Sequence, residues 1–189
     1  MNVVTLEALA AQASTCTRCR LSETRTNVVF GVGSNRSGLL VVGEGPGKDE
    51  DLRGEPFVGR SGQLLDRLVL EELGLRRDAY YIANIVKCRP PGNRDPLPDE
   101  IAACSGYLDA QLELLSPSVV VTLGNVATRV LLGTDEGIST LRGRSHPWRG
   151  RLVFPTFHPA YALRGGGVVV AQMRADLVRA KLLLAGAVS

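Results

Sequence analysis

A chain of 189 residues has the length of one domain, and its 44% apolar content is that of a globular protein, which excludes a disordered or membrane-embedded chain. A formal net charge of +3 does not by itself announce a nucleic-acid partner. No basic run precedes the apolar residues of the first segment and no stretch reaches the ~18 consecutive apolar residues of a membrane span, so a soluble, unsecreted, cytoplasmic protein is expected.

In chain order, residues 39–42 (LLVV) give the first buried-strand signal. A helix follows in which Ser61 can serve as the cap, Leu64, Leu65, Leu68 and Leu73 form one stripe, and Gly74 ends the run. Residues 80–86 (YYIANIV) read as a second strand, and the Pro/Gly-rich segment 90–98 as a loop. Pro98, Asp99 and Glu100 make a favourable first turn for a helix over 98–115 that buries Ile101, Cys104, Leu108, Leu112 and Leu115. Then come a strand at 118–123, a helix at 125–132, a strand at 152–157, and an amphipathic helix at 168–185 with Arg174, Asp176, Arg179 and Lys181 outside.

The four strand runs are nearly continuous in apolar residues, which suits strands covered on both faces. Their alternation with helices predicts one α/β domain over 1–189, a mainly parallel sheet between helical layers, with its ligand site at the carboxyl ends of the strands.

Three segments sit at such ends: GEGPGKDED at 43–51, Asn84, and FHPAYALR at 157–164. Gly43, Gly45 and Gly47 permit a tight turn and close backbone approach to a flat ligand, while Glu44 and Glu50 bring carboxylates. A phosphate-cradling P-loop is excluded, because Asp49 follows Lys48 and Val42 stands at the first glycine position. His158 lies between a strand and the fixed turn of Pro159, a placement that favours function over an unremarkable histidine. Arg142, Arg144, Arg149 and Arg151 fall in one Gly/Pro-containing segment expected to be an exposed loop, either a solvated turn or a set of phosphate contacts.

Cys16 and Cys19 form a C-x2-C pair, and Cys88 and Cys104 follow more widely spaced. Disulfides are not expected in an unsecreted chain of this size. Spacing alone leaves zinc, an iron-sulfur cluster and unliganded thiols open.

The strings GEGPGKDED, EPFVGRSGQLLD, NIVKCRPPGNRDP and FHPAYALR, in this order and with the cysteine frame, resemble the family 4 iron-sulfur uracil-DNA glycosylases. The resemblance covers nearly the whole chain. It implies a three-layer α/β/α sandwich with a central four-stranded parallel sheet, and a structural 4Fe-4S cluster held by Cys16, Cys19, Cys88 and Cys104. It also implies hydrolysis of the bond between uracil and deoxyribose in DNA, single- or double-stranded, as the first step of base excision repair. Phe57 would stack on the flipped base, Asn84 would read its edge, and His158 would hydrogen-bond O2. Glu44 and Glu50 would orient water or the sugar cation beside Gly45, Glu50 also crowding a thymine methyl. Arg142, Arg144 and Arg164 would contact phosphates, with Tyr161 or Leu163 as a wedge.

Two other classes fit parts of the pattern. One is a protein that captures uracil-containing DNA covalently through a histidine in a basic insert after the strand at 80–86, but KCRPPGNRDPLP holds no histidine. The other is a non-catalytic iron-sulfur DNA-binding module, as could accompany a polymerase; turnover on uracil-containing DNA separates it from an enzyme. A monomer is expected, with a replication clamp or polymerase as the class of protein partner.

Overall fold

Successive side chains of a strand point to opposite faces of its sheet, so a run that is apolar at every position needs cover on both sides. The computed structural model, which describes residues 5–186, meets that need with one six-stranded sheet between helices. The elements are α1 (Leu6–Ser14), β1 (Val32–Gly33), β2 (Leu39–Gly43), α2 (Lys48–Arg53), α3 (Arg60–Leu73), β3 (Tyr81–Asn84) and α4 (Pro98–Leu115). They continue with β4 (Val119–Leu123), α5 (Gly124–Leu132), α6 (Ile138–Leu141), β5 (His146–Trp148), β6 (Arg151–Thr156) and α7 (Pro159–Gly186).

The sheet order is β1-β3-β2-β4-β6-β5, and its centre, β3-β2-β4-β6, is parallel. These four are the strands expected from the sequence. The short edge strands β1 and β5 pair antiparallel and were not expected, since two or three residues of mixed burial carry no periodic signal. Leu39, Val41, Val119 and Val121 pack with α3 and α7 on one face, while Leu40, Val42, Val120 and Val153 pack with α4 and α5 on the other. No described helix is long and apolar enough to cross a membrane.

Three local expectations are corrected. Gly59, not Ser61, is the N-cap of α3, although Gly74 ends that helix in the left-handed conformation as expected. The Arg-rich segment is a β5–β6 hairpin rather than a free loop: Trp148 pairs with Arg151, and Arg149 and Gly150 between them both have positive φ, as a tight two-residue hairpin turn requires. Asp176, expected on the outer face of the last helix, is fully buried. Helix α7 also begins earlier than expected and is interrupted at Gly166, whose φ of 70° and ψ of −162° are accessible to glycine alone.

Candidate functional site

A cleft of about 600 Å³ opens where β2, β3 and β6 end. Glu44 and Gly45 follow β2, Asn84 is the last residue of β3, His158 lies just past β6, and Phe57 comes from the turn between α2 and α3; all five line it. The sheet thus brings together residues up to 114 positions apart, Glu44 and His158.

Gly43 forms the close-packed floor. A Cβ there would sit 2.5 Å from Asn84 Oδ1 and 2.6 Å from Phe57 Cζ, so any side chain would push both out of place. Asn84 is 1% exposed and its Oδ1 has no hydrogen-bond partner among the described residues. A buried acceptor left unpaired is costly unless a ligand completes it.

Phe57 has a φ of 54°, a strained conformation for a bulky residue. Its ring lies 5.8 Å from the His158 ring at a tilt of 33°. Two residues hold its turn. Glu50 accepts from the backbone N–H of Val58 and of Gly59, both at 3.0 Å, and from Gly47 at 3.1 Å. From the other side, Arg77 donates to the Pro56 carbonyl and pairs with Glu55 and Asp66. Glu50 thus anchors the turn that carries Phe57 while its side chain also lines the cleft.

Glu44 lines the cleft beside Gly45. Burial, reinforced by the charge of Asp95 in the loop before α4, pushes it up to about 7. His158 moves the opposite way: burial and then Arg164 lower it to about 4, with Glu50 opposing. The ring is accordingly neutral at pH 7. Its Nδ1 accepts from the Ala160 N–H at 3.1 Å, which leaves the proton on Nε2 as a donor.

Tyr161 and Arg164 line the same cleft, and Leu163 is exposed on the same first turns of α7. Arg144 is exposed and forms no ion pair among the described residues. Arg142 does not fit the phosphate role expected of it. Its Nε and Nη2 donate to the two Asp176 oxygens at 2.9 and 2.8 Å, and its guanidinium lies 4.9 Å from the Phe157 ring centre. Arg149 and Arg151 pair with Asp109 and Glu113. Sequence reasoning missed Arg60, Arg94 and Asp95, which also line the cleft; a charged residue in a polar loop carries no sign of which way it faces.

The four cysteines form no disulfide and line one second, small cleft together with Arg25, Lys87 and Tyr107. Burial pushes the Cys88 thiol up to about 11 and raises Cys104 as well. Two N–H donors face these sulfurs: Arg25 Nη1 at 3.3 Å from Cys88 and the Lys87 backbone N at 3.3 Å from Cys104. Among the described residues no three His, Cys, Asp or Glu side chains are arranged to hold a single metal ion.

The model of the uracil DNA glycosylase superfamily matches residues 30–178. A type-4 uracil-DNA glycosylase of Thermotoga maritima is 48% identical over 84% of this chain and 83% of its own length. Those of Sulfurisphaera tokodaii and Archaeoglobus fulgidus are 45% and 42% identical over 84% of this chain and 76% and 83% of theirs. The chain is a type-4 uracil-DNA glycosylase by family. As a member of the type-4 glycosylases it carries every cleft residue named above inside the superfamily match, whereas Cys16 and Cys19 lie before it.

Proposed function

We propose that the protein hydrolyses the N-glycosidic bond between uracil and deoxyribose in DNA, in the cleft at the ends of β2, β3 and β6. The observation that carries this reading is the buried, unpaired Asn84 amide oxygen beside a neutral His158. Uracil presents an N3 donor and an O4 acceptor on its pairing edge, which the Asn84 Oδ1 and Nδ2 match together. A base must leave the stack to reach such a depth, and Phe57 offers it a face. As the bond to the sugar lengthens, negative charge gathers on N1 and O2 of the base. The Nε2–H of His158, oriented by the Ala160 amide, supplies a donor to O2 without adding a proton of its own. Glu44, when ionised, orients water or faces the positive sugar. Arg144, Arg164 and the exposed Tyr161 and Leu163 supply phosphate contact and wedge at the rim.

The cysteine cleft suits a 4Fe-4S cluster held by Cys16, Cys19, Cys88 and Cys104: all four thiols share it and two N–H donors face the sulfurs. Such a group would be structural, fixing the N-terminal segment and the loop after β3.

The test is incubation with a labelled oligonucleotide bearing one uracil, followed by alkali. Strand breaks confined to the uracil position, with free uracil released over many turnovers, support the reading. An intact strand overturns it in favour of a binding module, and an alkali-stable protein-DNA adduct overturns it in favour of covalent capture.

A further inference from the structure

Burying an ammonium is costly, and Lys87 is buried to 1% exposure with no ion pair among the described residues. Its position explains what it holds. Lys87 lies three residues after Asn84 and immediately before Cys88. Its Nζ donates to the Asn84 carbonyl at 2.9 Å and to Gln111 Oε1 at 2.6 Å, with the Phe30 ring centre 5.8 Å away. Gln111 is itself fixed, donating through Nε2 to the Phe30 carbonyl at 2.9 Å. Meanwhile the Lys87 backbone N–H faces Cys104 Sγ, and its carbonyl accepts from Val29 N at 2.7 Å.

We propose that Lys87 is a positioning residue that couples the cysteine site to Asn84, fixing the peptide that sets the direction of the uracil-reading amide. The proposal rests on the role given to Asn84 above. An amide discriminates uracil from cytosine only while its orientation is locked, and nothing within the described residues bonds its side-chain oxygen. The amide packs against Gly43, where a Cβ would lie 2.5 Å from its oxygen, so the place of the backbone that carries it decides where it points. The Ile85 and Val86 amides bond the Gly43 and Glu44 carbonyls, extending the sheet register, and Lys87 Nζ takes up the Asn84 carbonyl. A cation with two aligned acceptors does this where an apolar filler could not.

The experiment is a double-mutant cycle of Lys87→Met and Asn84→Ala, measured as kcat/KM for uracil removal. Methionine keeps the length and apolar stem but has no donor. Lys87→Met should lower kcat/KM by on the order of 10^2-fold, the cost of a small displacement of a reading group, with iron content unchanged. In the Asn84→Ala background it should cost nothing further. Independently of turnover, hydrogen exchange over residues 84–88 should quicken in Lys87→Met without DNA. Should Lys87→Met not fold, Gln111→Leu, which removes the lysine's second acceptor, replaces it in the same cycle with the same expectation. Equal losses in both backgrounds, or wild-type exchange over 84–88, would overturn the coupling. A wild-type protein inactive on uracil would instead overturn the functional reading, so the two failures are distinguishable.

Discussion

Arg142 and Asp176, 34 positions apart, form a two-pronged ion pair at the end of β6, the strand that leads to His158. Thr156, the last residue of β6, donates to the same carboxylate at 2.7 Å. Arg142→Ala would leave the buried Asp176 with only the more distant Arg179, at 3.9 Å, a loss of up to about 3–5 kcal/mol for a pair broken on one side. Thermal and urea unfolding of Arg142→Ala should show that loss. The salt dependence of DNA binding should be unchanged, whereas Arg144→Ala should reduce its slope by about one counterion. An unaltered stability in Arg142→Ala would show that the pair carries no load.

The Glu44–Asp95 relationship predicts a pH profile. With Glu44 raised to about 7 and active as the carboxylate, kcat/KM should rise through neutral pH and level above it. His158, already neutral above about 4, does not contribute to that limb. The other charged side chains lining the cleft are Lys48, Asp49, Glu50, Arg60, Arg94 and Arg164. Removing the Asp95 charge in Asp95→Asn stabilises the Glu44 carboxylate, so the limb moves to lower pH; Glu44→Gln abolishes it. A limb that stays in place in Asp95→Asn would contradict this assignment.

Protein purified without oxygen should contain about four irons per chain, as a cubane cluster requires, and absorb broadly in the visible. Cys88→Ser should lose iron and fold poorly, since Cys88 is the proposed ligand on the segment that follows Asn84. One zinc and no iron in the wild type, or soluble and fully active Cys88→Ser without iron, would contradict the cluster.

The parallel core of the fold was legible because strands covered on both faces leave unbroken apolar runs, and Leu39–Val42 is such a run. The residues at strand ends were legible for the same reason: the sheet places Glu44, Asn84 and His158 side by side once the strands are found. Direction of side chains was not. Arg142 and Asp176 each read as surface charges, and it is their pairing, with Thr156 on the same carboxylate, that makes burial tolerable. Glu50 reads as a second catalytic carboxylate, yet its three backbone donors come from a turn whose shape no local pattern announces. Lys87 and Gln111 satisfy one another from separate elements, so neither shows a signal alone.

The most direct measurement of the central claim is excision of uracil and cytosine by Asn84→Asp across pH, with circular dichroism to confirm folding. The carboxylate introduced by this substitution has no donor for uracil O4, so uracil cleavage should fall steeply, by up to ~10^4 where a buried pairing is lost. Its protonated form could instead donate to cytosine N3 and accept from N4, so faint cytosine removal should appear and grow as pH is lowered. Uracil cleavage near the wild-type rate by the folded variant would take Asn84 out of the pocket and contradict the account.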